Sequence, residues 1–102
     1  MAKSRLELHE ILCSLLGSRN VYFQPPSTFK MKYDCIVYSL QDNDAKHADD
    51  MRYINMKEYS VVAISKNPDS ELQDKILELP YCEMDQVYTS DNLNHWAFTL
   101  YF

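Results

Sequence analysis

The sequence predicts an α+β domain: a small, mainly antiparallel sheet of about four strands with two helices packed on one face. Three observations predict it. Leu8, Ile11, Leu12, Leu15 and Leu16 recur at helical spacing near the start, and Leu72, Ile76 and Leu79 do so again past the middle. The closing stretch, His95 to Phe102, alternates instead with a two-residue period. Between these lie apolar, β-branched runs at Cys35–Leu40 and Glu58–Ser65. The expected order is α-β-β-α-β-β. A chain of 102 residues is the size of a single domain, so residues 1–102 are expected to share one core.

Each element has a local reason. Ser4 and Glu7 form a capping box, in which each side chain satisfies a free backbone donor at the start of a helix. Gly17 stands where that helix needs a left-handed cap. Val21–Gln24 is apolar but runs into Pro25-Pro26, which cannot donate to a ladder, so it is at most a short edge strand or an extended arm. Cys35–Leu40 reads as a central strand. Residues 41–55 are polar and rich in aspartate, and a loop of that length is functional or mobile in most compact domains. In Glu58–Ser65 both alternating faces are largely apolar, so both are expected to be covered. Asn67-Pro68-Asp69-Ser70 is a helix-start signal, with proline at or near the first helical position and Pro80 as the stop. Strands at about Cys82–Thr89 and His95–Phe102 follow, joined by the turn SDNLN. Trp96, Phe98, Leu100 and Phe102 share one face of the last strand; His95, Ala97, Thr99 and Tyr101 share the other.

Composition excludes several function classes. Gly17 is the single glycine, and phosphate-cradling loops or dinucleotide fingerprints need several. The net charge is −5 with scattered bases, the nearest to a cluster being Lys30 and Lys32 with Lys57 well apart. A nucleic-acid binder would instead present a basic face to displace counterions. No secretory signal is recognisable and no apolar run approaches the roughly 20 residues that span a bilayer. Cys13, Cys35 and Cys82 are an odd set without a CxxC pair. Free thiols in a reducing cytosol are the expectation, with Cys13 and Cys35 as small core residues.

Candidate chemistry is thin. His9, His47 and His95 fall on a helix, a loop and a strand. His9 reads as a solvated helix residue, and His95 as a cross-strand or turn contact beside Trp96. A Cys–His pair is open to any fold that brings the two together, but most buried cysteines are inert. The acids of Gln41–Asp50 lack the central glycine and terminal glutamate of a calcium loop, so no metal or other cofactor is expected. Such a charge run is usually a solvated loop; the sharper alternative is an arm that docks on a partner, anchored by Met51, Tyr53, Ile54 and Met56. The aromatics of WAFTLYF favour a core strand, since a stacking platform for single-stranded nucleic acid would carry flanking cations. Its outer face is free to meet another subunit, and it could extend a neighbouring sheet by edge addition. The high tyrosine content fits a sheet and, alternatively, an interface.

The segments NVYFQPP, YDCIVYSL, EYSVVAISKNPDSELQDKILELP and YTSDNLNHWAFTLYF, in that order and spacing over nearly the whole chain, resemble the small neck proteins of long-tailed bacteriophages described as tail terminators or tail-completion proteins. Tyr33-Asp34 departs from that pattern, with an acid where proline is expected before the strand. The resemblance implies a non-enzymatic virion protein at the head–tail junction, assembled in the host cytoplasm. Its subunits would close into a homo-hexameric ring that terminates the tail tube and joins it to the head. Its partners would be itself, the tail-tube protein and a neck or head-completion protein, with DNA passing through a lumen that does not bind it and no membrane involved. Residues 41–55 correspond to the loop that reaches toward neighbours in that family. The candidate contact residues are Asp49, Asp50, Arg52 and Tyr53 in that loop, and Asn92 and Asn94 beside the final strand. The alternatives are a head-closure or adaptor ring of the same neck, or a small intracellular binding module unrelated to phage.

Overall fold

The computed structural model of the chain describes residues 4–41 and 57–102. Its elements are α1 (Arg5–Leu16), β1 (Val21–Phe23), β2 (Cys35–Leu40), β3 (Glu58–Ser65), α2 (Leu72–Leu77), β4 (Cys82–Ser90) and β5 (Leu93–Tyr101). The class is α+β, as expected. The sheet, however, has five strands in the order β1-β2-β3-β5-β4, and β1 pairs parallel to β2 while all other pairs are antiparallel. The element order is therefore α-β-β-β-α-β-β, because Val21–Phe23 joins the sheet as its short edge strand.

α1 is built as its sequence dictates. Glu7 N–H donates to Ser4 Oγ at 3.2 Å, and Gly17 takes φ 82° while its N–H returns to Cys13 O at 2.9 Å. Leu8, Leu12 and Cys13 are buried on the sheet, with Leu15 and Leu16 packed at the margin. α2 begins later than the Asn67–Ser70 signal predicts. Asn67 Oδ1 accepts from Asp69 N–H and Ser70 Oγ accepts from Leu72 N–H, so those polar side chains close two tight turns ahead of the helix. The helix itself spans only Leu72–Leu77, burying Leu72 and Ile76. Both helices touch each other and lie on one face.

Register explains the core. Ile36 pairs with Ala63, which pairs with Trp96; Tyr38 pairs with Val61, which pairs with Phe98. Directly opposed residues share a face, so these rows all meet the helices, and all six side chains are buried. Cys82 and Met84 of β4 pack against the edge of the same cluster. The opposite face is only partly covered, which corrects the expectation for β3. Ile64 and Glu58 are buried there, while Ser60 and Val62 stay half-exposed. Residues 24–34 return the chain from β1 to its parallel neighbour and lie against Tyr22. The Phe29 ring meets Tyr22 edge-on at 5.0 Å, and Lys32 N–H donates to the Tyr22 hydroxyl. The Tyr33–Asp34 peptide is cis. Asp34 Oδ1 accepts from Lys66 N–H at 3.0 Å, joining the β2 and β3 ends.

Candidate functional site

Two places hold more than packing: the outer edge of β4 and a polar cluster under α1. β4 runs nine residues, and among the described residues only one of its sides is paired, to β5. From Asp85 to Ser90 every residue is exposed. The sequence has no glycine or proline within this strand, so it carries outward N–H and C=O groups on either side of Asp85. A register shift between Met84 and Gln86 bulges the strand at Asp85, whose carboxylate accepts from Thr99 Oγ1 at 2.6 Å. Exposed apolar groups flank the edge: Leu77 at the end of α2, and Tyr81, Val87 and Tyr88, with Val87 58% exposed. Tyr88 is stacked on its register partner His95, ring centroids 4.7 Å apart, the cross-strand contact expected of that histidine. An exposed edge of this length is a template for another strand.

The edge is β4 and not the aromatic last strand. β5 lies inside the sheet with both sides hydrogen-bonded, to β3 and to β4, so it has no row of groups left with which to extend a neighbour. Strand alternation identifies faces and leaves neighbours undetermined. The polar residues Gln86, Thr89 and Ser90 in the outer half of β4 are the signal that marks an edge.

The polar cluster centres on Tyr38, 1% exposed. Arg5 Nη1 donates to its hydroxyl at 3.1 Å, and His9 Nδ1 lies 2.8 Å from the same oxygen. Arg5 also sits over the Phe23 ring at 4.4 Å, and the Phe23 and Tyr59 rings lie 5.0 and 6.1 Å from that of Tyr38. Because Arg5 must donate, the phenol proton is free to go to Nδ1 of a neutral His9 carrying its own proton on Nε2. Burial, then the charges of Arg19 and Arg5, hold the His9 pKa below its ordinary value, with Glu10 opposing. Burial likewise raises that of Tyr38, against the Arg5 hydrogen bond. His9 is thus a half-buried partner of the core and not the solvated residue its helix position suggests. Arg5 and His9, one turn apart on α1, were the legible hint. The three side chains tie α1 to the sheet, and the Tyr38 residue on which they meet is buried.

The remaining candidates separate. Asp49, Asp50, Arg52 and Tyr53 lie outside the described residues. Asn92 and Asp91 form the two-residue β4–β5 turn, both at positive φ (63° and 54°), where asparagine and aspartate are favoured. Asn94 is half-buried and donates from Nδ2 to Ser65 O at 3.3 Å, tying the hairpin to the end of β3. The thiols are free, and burial pushes Cys35 and Cys82 up to about 11. No group of three or more metal-ligating side chains occurs among the described residues. No helix among them is long and apolar enough to cross a membrane. A shallow depression lined by Glu10, Cys13, Ser14, Gly17, Ser18 and Arg19 lies beside the exposed Arg19–Glu10 ion pair, 2.9 Å. No protein-family model, curated protein or solved structure matches the chain.

Proposed function

We propose that this chain is a non-enzymatic structural subunit that assembles with copies of itself. Its place is a ring at the phage head–tail junction, terminating the tail tube and joining it to the head. The observation that carries the reading is the outer edge of β4, exposed from Asp85 to Ser90 and flanked by Val87, Tyr81 and Leu77. Backbone pairing along such an edge gives affinity without any catalytic group, and its apolar flank adds area. The inward-facing Arg5–His9–Tyr38 cluster supports a structural role for the most unusual polar group described. The charge of −5 per subunit suits a lumen that repels DNA and lets it pass.

The test is the mass of purified protein by light scattering behind a sizing column, alone and with the tail-tube protein. A hexamer, alone or formed with the tube protein, is the expected result. A 12.0 kDa protomer that ignores tube protein overturns the ring. A ring that binds head-completion protein but not tube protein moves the chain to the adjacent head-closure position.

A further inference from the structure

The two edges of the sheet differ in charge as well as in length. Beside β4 stand Glu78 at the end of α2, Glu83 and Asp85 on the strand and Asp91 in the turn, all exposed. At the other edge, the segment laid against β1 exposes Lys30 and Lys32. Each edge also exposes large apolar groups: Val87 and Tyr88 at one, Phe29 against Tyr22 at the other. The strand order puts these edges at opposite ends of one sheet.

We propose that copies of this chain associate head to tail, the acidic β4 edge of one lying along the basic β1 edge of the next. Strand direction favours it. β1 and β2 run together, β3 opposes them, β5 opposes β3 and β4 opposes β5, so β4 runs opposite to β1. A sheet continued sideways into a second copy of the same orientation therefore meets it as an antiparallel pair. Pairing β4 with β4 of another copy would instead bring two acidic rims within a Debye length of each other. A contact between unlike patches repeats, so it closes into a ring or runs on as a filament. β1 is three residues long and is followed by Pro25-Pro26, which keeps the ladder short and leaves the charges and the apolar flanks to select the partner.

This inference rests on the self-assembly part of the proposed function, and one charge-swap experiment separates their failures. One variant carries Glu78→Lys and Glu83→Lys, the other Lys30→Glu and Lys32→Glu. Asp85 is left alone because it holds Thr99. Circular dichroism checks that both fold. Each variant alone should stay at protomer mass by sedimentation where the wild type assembles, and an equimolar mixture should regain the assembly, because alternating copies then match at every contact. Wild-type and both variants assembling equally would overturn the edge-to-edge contact and leave self-assembly standing. A wild type that remains a protomer up to millimolar concentration, with the tube protein present as well as without it, would overturn both.

Discussion

His9 Nδ1 lies 2.8 Å from the hydroxyl of Tyr38, a residue 29 positions further along the chain, and this hydrogen bond joins α1 to the buried face of the sheet. It depends on protonation. A protonated His9 would present a donor where the Tyr38 hydroxyl donates, beside the Arg5 guanidinium and within the field of Arg19; only Glu10 opposes.

Stability should therefore fall as the solution is acidified. His9 has a folded pKa below its unfolded value near 6.5. The unfolded chain then binds the proton first, and the loss begins as pH falls through about 6.5. It stops growing once pH is below the folded pKa. Thermal melts from pH 8 to 5 should show this decline, and His9→Gln should flatten it. An unchanged slope in that variant would refute the assignment.

Tyr38→Phe should cost about 1 kcal/mol in urea unfolding. Arg5 and His9 are each half-exposed and recover water once the hydroxyl is gone. Tyr38→Ala should cost about 3–5 kcal/mol, because it also empties a space enclosed by Phe23 and Tyr59. Equal losses from the two variants would contradict this division between hydrogen bond and packing.

Gly17→Ala isolates a backbone effect. A Cβ at Gly17 meets nothing within 4 Å, so any penalty comes from its φ of 82°. The expected loss is about 1–2 kcal/mol, visible as a lower Tm. Gly17→Asn should lose less, since asparagine tolerates that conformation.

The three thiols should react slowly in the native protein. With Cys35 and Cys82 at about 11, the thiolate fraction at pH 8 is roughly a thousandth. Alkylation followed by mass spectrometry should show these two sites modified roughly a hundredfold more slowly than in urea. Native labelling at the unfolded rate would place them outside the packed sheet.

What was legible in the sequence was whatever is decided locally. Ser4, Glu7 and Gly17 mark α1 because caps act within one turn. The Trp96–Phe98–Leu100 alternation assigns the buried face of β5 because side-chain period is a property of the strand alone. Strand neighbours are settled over long distances, so neither the parallel docking of Val21–Phe23 on Ile36–Tyr38 nor the burial of β5 between β3 and β4 could be read. The same distance hid the His9–Tyr38 pair. Asn67–Ser70 misled about α2 because the side chains that start helices also close turns. At the candidate site, alternation in the aromatic run pointed to an interface strand but could not show that both its sides were already occupied.

The position of β5 has a consequence for how the chain acquires its shape. The strand that lies between β3 and β4 is made after both of them. Until Leu93–Tyr101 emerges during synthesis, β3 and β4 each present a long row of unsatisfied groups, and Val61 and Ala63 lack their partners Phe98 and Trp96. Nascent chains interrupted before that point hold these bare sides of β3 and β4 in addition to the edges of the finished sheet, and are the species a chaperone would meet. Insertion of β5 retires β3 from that exposure and leaves β4 as the longer of the two remaining edges.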